Sequence, residues 1–465
     1  MNNQEPNERS YILLNESHSA NSTTEQSNAS PQESQSSDSE SSDDGKKSSM
    51  AITSVNYING IVGSGVMAMP YVLKLSGLGF GLILMLVVVM ITGKSLVLQI
   101  AAGKILGTST YQETVEGVFG KPGFVMCAIL QFSFPFLGMV SYNIIIGDTI
   151  TKVIVRLADL NPNNPWVHRD LVATLVTFLV TLPLSSLRNI VYLSKTSFLS
   201  LAMVAFICVT MVIRIPHMLE LTPGMTGEII FIDTGIGPAI GIISFAFVCH
   251  QTSFLLYKSL DNNTEARWNK TTYLSLGLAL LPCIIIAVSG YVPFTDLTQG
   301  DILENYCRKD DLMNACRAIF AISVMFTYPL ECFAAREVLE TSFFRNHQPP
   351  PLWRHLVLTL AIVVAALLLS FTTDCLALVL LLAGIFLACP MAFLIPAATF
   401  IKAGGGNLMS KKNASAWFVI LFGVVAGLTG FVTLVINWSD VSTCSHGKEM
   451  DYCLVNGTLK SVPFI

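Results

Sequence analysis

Long apolar runs, separated by short polar, glycine-containing or proline-containing segments, fill the chain from about residue 50 onward. A helix of about 20 apolar residues can cross the hydrocarbon core of a bilayer. The pattern predicts about eleven such runs, numbered spans 1 to 11, at 50–71, 78–102, 123–155, 170–187, 192–214, 234–257, 272–293, 314–340, 355–373, 375–401 and 415–437. The sequence therefore predicts an all-α integral membrane protein.

Residues 1–49 contain few large apolar side chains and many Ser, Asn, Gln and Glu residues. Such a segment buries too little apolar surface to offset the entropy lost on ordering. We therefore expect a disordered cytosolic tail at 1–49, a transmembrane domain at 50–437 and a short outer tail at 438–465. The stretch Tyr11-Ile12-Leu13-Leu14 fits a tyrosine-based sorting pattern, which would direct the protein to endosomes or lysosomes.

Composition excludes several classes of protein. Of the 465 residues, 52% are hydrophobic and 12% are charged, with a formal net charge of -4. This balance gives no reason to expect a nucleic-acid partner. The 11 cysteines form no cluster at metal-ligand spacing, and no nucleophile-and-base constellation or phosphate loop is visible, so we expect neither a cofactor nor an enzyme. We expect no cleavable signal peptide, because the first apolar run is already of spanning length.

Charge asymmetry predicts the topology. Lysines and arginines between the spans fall mostly in loops on one side, including Lys104, Arg188 and Lys411. Cytosolic loops carry such an excess, so the N-terminus is predicted to be cytosolic and the C-terminus extracellular or lumenal. Of the glycosylation sequons, only Asn456 then lies on the modified side. In the same outer tail, Cys444 and Cys453 could close a short disulfide loop, with free thiols and pairings with Cys307 as open alternatives.

Span 1 contains an unusual cluster, Gly63-Ser64-Gly65, followed by Pro70. Each glycine weakens a helix by about 1 kcal/mol, and proline removes a backbone donor. The cluster therefore predicts an unwound segment in the middle of the membrane. Unpaired backbone groups survive there only around a cavity or a ligand, where carbonyls suit a small cation and helix-terminal amides suit a carboxylate.

Span 6 contains a second disturbed region, Ser244 to Ser253, after a Gly235-Ile236-Gly237-Pro238 entry. Five spans separate the two breaks, which is the spacing that two inverted five-helix repeats require. We therefore expect the two breaks to face each other across a binding site.

Two strings now support a family resemblance. The run Asn59-Gly60-Ile61-Val62-Gly63-Ser64-Gly65-Val66 resembles the first-span signature of the sodium-coupled neutral amino acid transporters, and Phe245-Ala246-Phe247-Val248-Cys249-His250 resembles their sixth-span signature. The resemblance implies the leucine-transporter-like fold of the amino acid, polyamine and organocation superfamily, a 5+5 inverted repeat plus one extra span. It also implies alternating access by a monomeric transport unit in the lipid bilayer.

By the same resemblance, site residues can be assigned. The sodium ligands are expected to be Asn59, Val62, Ser323 and Thr327. The substrate is expected to contact Gly63, Ser64, Gly65, Phe245, Phe247 and His250. For His250, a brace for the helix break and a proton-linked group are both open. Asp148 could form a local pair with Lys152, and Glu331 could pair with Arg336.

The expected function is sodium-coupled transport of small neutral amino acids, with proton counter-movement as an additional option. The alternative is a membrane sensor that binds the same amino acids and signals through the N-terminal tail. The expected location is the plasma membrane or the endosomal or lysosomal membrane. Sodium is the expected coupling ion, and no resident metal is expected.

Overall fold

A computed structural model describes residues 48–160, 167–188, 197–222, 227–344, 350–436, 438, 449–455 and 458–459. The secondary structure of the described part is helical apart from an isolated bridge between Ser48 and Leu260 and a short antiparallel pair of strands, Leu454–Val455 and Thr458–Leu459. The tail predicted to be disordered lies outside the described residues except for its last two positions. Asn456 and Cys444 also lie outside them.

Helices occur at every predicted span. The long helices are span 2 (Leu78–Leu106), span 3 (Tyr111–Leu157), span 5 (Ser197–Leu221), span 7 (Glu265–Phe294), span 8 (Asp311–Phe343), span 9 (Leu352–Ser370) and span 11 (Ala414–Ile436). Span 10 comprises helices Leu376–Ala383 and Ile395–Ala403, joined through two π-helical turns. Span 4 comprises Arg169–Val176, a π-helical turn and Leu182–Ser185.

Spans 1 and 6 are broken, as predicted. Span 1 consists of Met50–Ile61, a 3₁₀ turn at Ser64–Ala68 and Met69–Ser76, and it bends by 56°. Span 6 consists of Ile236–Phe247 and Ser253–Ser259. Within the described residues, eight helices are long and apolar enough to cross a membrane, or nine with the bent span 1. Spans 4 and 6 are too short to meet that test, so the count of eleven stays a prediction.

Capping residues set the helix ends. Span 3 begins at Tyr111 rather than near residue 123, because the Thr110 side chain accepts a hydrogen bond from the Glu113 amide and starts the helix early. A kink at Gly120, with φ of 67°, then separates this polar first segment from the apolar run. Span 2 ends at a left-handed Gly107. The apolar pattern located the membrane segment but not these polar extensions.

Packing separates the interior from the lipid-facing surface. The largest fully buried side chains include Trp268, Tyr57, Tyr328 and Phe247. Large apolar side chains such as Leu86, Met90, Leu281 and Leu428 are more than half exposed, which suits a surface covered by lipid. Span 6 is central, since it packs against the second half of span 1 and against spans 2, 10 and 11.

The C-terminal segment docks on the loop between spans 7 and 8. Tyr452 stacks on Phe294 with ring centroids 5.8 Å apart and donates a 2.6 Å hydrogen bond to the Asn305 carbonyl. Glu449 forms a 2.9 Å ion pair with Arg308. Four predicted spans separate the loop from the tail, so this contact agrees with their placement on one side of the membrane.

The predicted Cys444–Cys453 disulfide is wrong, and the open alternative, a pairing with Cys307, is confirmed. Cys453 instead bonds to Cys307, with the two Cα atoms 5.5 Å apart. The docking of Tyr452 and Glu449 brings Cys453 to Cys307 across a separation of 146 residues, which sequence proximity could not reveal. Cys375 is also disulfide-bonded.

Candidate functional site

The break in span 1 releases backbone groups. The Gly63 amide donates to the Ile61 carbonyl at 3.0 Å, whereas a continuous helix would direct it to Asn59. The Asn59 carbonyl therefore loses its regular helical partner next to the break. The Ser64 hydroxyl lies 2.8 Å from the Ser141 hydroxyl of span 3, so span 3 holds the 3₁₀ turn in place.

Glycine at position 65 lets the two broken spans approach each other. A Cβ atom on Gly65 would stand 2.6 Å from the Cβ and 2.8 Å from the Cα of Ala246, which lies just before the break in span 6. Neighbouring Phe245 is buried, and its ring centroid lies 5.0 Å from that of Phe134 on span 3. The structure thus brings the predicted substrate residues of spans 1 and 6 together beside span 3.

The break in span 6 is braced by span 2. Val248 is extended, so the helix ends there. The carbonyl of His250 accepts hydrogen bonds from Gln99 Nε2 at 3.0 Å and from Ser253 Oγ at 2.8 Å. The imidazole Nε2 lies 3.3 Å from Ser95 Oγ, and the histidine is fully buried. These contacts support the bracing role for His250.

The sequence interpretation missed Ser95 and Gln99. They lie four residues apart, on one face of a largely apolar span, and that spacing was a usable signal. Ser95 also donates to the Ala392 carbonyl in span 10. Span 2 therefore links the break of span 6 to span 10, while His250 faces span 2.

Span 8 contributes the predicted hydroxyl ligands. Thr327 Oγ1 donates a 2.7 Å hydrogen bond to the Ser323 carbonyl. This uses the only hydroxyl proton of Thr327 and leaves oxygen lone pairs free for a cation. Tyr142 of span 3 lies between Thr327 and span 1: its hydroxyl is near Thr327 and would be 2.9 Å from a Cβ on Gly63. The predicted sodium ligands of span 1 and those of span 8 are thus linked only indirectly, through Tyr142.

The remaining predicted site residues differ in how far they are buried. Val62 is partly buried at the end of the first half-helix, Asn59 is buried within it, and Phe247 is fully buried at the end of the first half of span 6. Their positions at the breaks follow from the chain order. Their ligand roles stay predictions.

A network of charged side chains lies at the end predicted to be outside. Asp148 pairs with Arg169 at 2.8 Å rather than with Lys152, and Lys152 pairs with Glu304 at 2.8 Å, so the predicted local pair is wrong. Burial and the Glu304 carboxylate raise the pKa of the loop residue Asp301 to about 7. The long-range pairs join span 3 to span 4 and to the loop before span 8.

Two broken helices packed against each other inside a membrane bundle define a class of protein. Secondary transporters bind their substrates at such paired breaks near the middle of the membrane. The class assigned from fold and site is therefore a multi-pass membrane transporter.

Comparison with known sequences gives the family. The chain matches the family described as transmembrane amino acid transporter protein over residues 46–436. It belongs to this family of transporters and is not an enzyme. A Danio rerio protein provisionally named sodium-coupled neutral amino acid transporter 11 is 38% identical over 89% of this chain and 92% of the relative. The Rattus norvegicus protein of that name is 39% identical, over 88% and 90%. Vacuolar amino acid transporter 2 of Saccharomyces cerevisiae is 30% identical, over 86% and 87%.

Solved structures confirm the predicted fold. The crystal structure of MhsT in complex with L-phenylalanine has a TM-score of 0.55 at 12% identity, over 83% of this chain and 97% of that chain. Mhp1, a nucleobase-cation-symport-1 family transporter, has a TM-score of 0.55 at 11% identity, over 85% and 92%. Both share the leucine-transporter-like fold, and at these identities the likeness concerns the fold alone.

Proposed function

We propose that this protein is a sodium-coupled secondary transporter of small neutral amino acids that works by alternating access. The observation that carries the proposal is the close approach of the two breaks at Gly65 and Ala246, together with the release of the Asn59 backbone carbonyl by the break in span 1. The names of the Danio rerio and Rattus norvegicus relatives support sodium and neutral amino acids.

In this proposal, oxygen atoms bind the sodium ion and backbone amides bind the carboxylate of the substrate. Sodium prefers oxygen ligands, which Asn59, the Val62 carbonyl, Ser323 and Thr327 would supply. The amides that follow the break at Gly63 would receive the substrate carboxylate, because the start of a helix is partially positive. Ser64, Gly65, Phe245, Phe247 and His250 would enclose the rest of the substrate.

Uptake by purified protein in proteoliposomes tests the function. Radiolabelled alanine, serine and glutamine should accumulate when sodium is higher outside than inside, and collapse of the gradient should abolish accumulation. Equal uptake with choline in place of sodium would refute sodium coupling. A separately imposed proton gradient tests proton antiport. Amino acid binding without flux would refute transport and favour the sensor.

We also propose a cytosolic disordered N-terminal tail at 1–49, a transporter domain at 50–437 and an extracellular or lumenal C-terminus at 438–465. Asn456→Gln should then remove the glycan that the protein carries in cells, while Asn413→Gln should leave electrophoretic mobility unchanged. A shift caused by Asn413→Gln would refute this topology. Imaging of a tagged full-length chain distinguishes the plasma membrane from endosomal or lysosomal membranes.

A further inference from the structure

Span 8 contains Glu331, an acidic residue that is not among the proposed sodium or substrate ligands. Glu331 lies inside this span, four residues after Thr327, so both side chains share one face of the helix. Its Oε2 atom is buried and has no hydrogen-bond partner among the described residues. A carboxylate in such a place costs several kcal/mol unless a positive charge or donors compensate it.

The expected partner of Glu331 is engaged elsewhere. Arg336 bonds to the Ser185 carbonyl at 3.1 Å and to the Thr359 hydroxyl at 2.7 Å. The predicted pair between Glu331 and Arg336 is therefore wrong. Within the described residues, no ion pair compensates the partly buried Glu331, whereas the buried acids Glu304, Asp310 and Glu340 each have a basic partner.

The immediate neighbours of Glu331 supply few donors. Its Cδ atom lies 3.8 Å from the place that a Cβ on Gly138 would occupy, so span 3 presents backbone and no side chain there. The Thr327 hydroxyl proton is used by the Ser323 carbonyl. The Tyr142 hydroxyl, which lies near both Glu331 and Thr327, remains as a neighbouring donor. A carboxylate can accept about four hydrogen bonds, so its capacity is largely unused.

The location connects this group to transport. The Tyr142 hydroxyl lies 2.9 Å from the place that a Cβ on Gly63 would occupy at the break of span 1, and it interacts electrostatically with Glu331. The carboxyl group therefore lies about one helical turn beyond the proposed sodium ligand of span 8.

Resting on the proposed function, we propose that Glu331 is a further cation-binding group. Its carboxylate binds one monovalent cation during the transport cycle, either sodium or the ammonium group of the substrate amino acid. Both supply the single positive charge that the carboxylate lacks. Tyr142 positions this group relative to the break of span 1.

Thermal unfolding of the purified full-length protein in detergent tests the proposal without requiring transport. Sodium chloride alone, against choline chloride, and alanine alone in choline chloride are the two probes, because a ligand that binds the folded state raises Tm. Glu331→Gln should raise the half-maximal concentration of one probe about tenfold or more, as expected when a charge-assisted contact is lost. Loss of the sodium response identifies sodium, and loss of the alanine response identifies the ammonium group.

The controls separate binding from structure. Glu337→Gln, on the same span and partly exposed like Glu331, should keep both responses. Without ligand, Glu331→Gln should have a Tm at or above that of the wild type, because an uncompensated buried charge is removed.

If this variant does not purify as a folded protein, Glu331→Asp, which shortens the acid, should show the same raised half-maximal concentration of the probe. Wild-type responses to both probes, or a change only in how Tm depends on pH, would overturn the proposal. Failed uptake by the wild type would refute the proposed function and leave this test intact.

Discussion

Replacing Gly65 with alanine tests whether the close approach of the two breaks is required for transport. Aliphatic carbons in contact are about 3.5–4.0 Å apart, so the new Cβ, 2.6 Å from Ala246 Cβ, would overlap by about 1 Å. The second obstacle is the Ala246 Cα at 2.8 Å, which is backbone and cannot rotate away. Spans 1 and 6 must therefore separate.

Overpacking of this kind costs about 1–3 kcal/mol. If that cost falls on the conformation in which the breaks are closed around substrate, its population drops about 5-fold to 150-fold. We expect the initial rate of sodium-driven alanine uptake in proteoliposomes to fall by a factor in this range. The elution profile of the purified protein should be unchanged, since the rest of the bundle keeps its packing.

Two further variants complete the experiment. Gly60→Ala is the matched control, because nothing lies within 4 Å of its Cβ position. Combining Gly65→Ala with Ala246→Gly removes the nearer obstacle and leaves the backbone obstacle in span 6, so uptake should recover in part. Wild-type uptake by Gly65→Ala, or an equal loss in Gly60→Ala, would refute the reasoning.

Three other predictions follow from the site and the outer loop. Asn59→Ala, which removes the side-chain oxygen but keeps the backbone carbonyl, and Thr327→Ala should each raise the sodium concentration for half-maximal uptake, and unchanged sodium dependence in both would refute the assigned side-chain ligands. His250→Gln should keep much of the activity and the wild-type pH profile, because backbone contacts hold the break; a flattened profile would contradict this. The pKa of Asp301 is about 7 in the folded protein and about 3.9 in the unfolded chain. Between these pH values the folded protein keeps the Asp301 carboxyl protonated while the unfolded chain does not. The stabilising effect of this bound proton is therefore lost as pH rises through this window. Relative to Asp301→Asn, the wild type should lose up to about 1.4 kcal/mol of stability per unit between pH 5 and 7, measured by thermal unfolding, and parallel curves would refute the shift.

Local chemistry explains what the sequence could predict about the site. The Gly63-Ser64-Gly65 cluster and the disturbed run around His250 break helices through backbone properties that belong to those residues. Ser95, Gln99, Ser141 and Tyr142, which hold the breaks in place, were not predicted. Their importance arises because spans 2 and 3 pack there.

By itself, the sequence determined the membrane class, the helical fold and the two broken spans, because apolar run length and helix breakers act within one segment. Only the tertiary structure decided which distant groups meet. It joined Cys453 to Cys307, Asp148 to Arg169 and Lys152 to Glu304, where sequence proximity had favoured other partners. It also directed Arg336 toward spans 4 and 9, which left Glu331 without a charged partner among the described residues. The physical reason is that an ion pair or disulfide depends on separation in space within a few ångströms, and that separation is fixed by how whole helices pack.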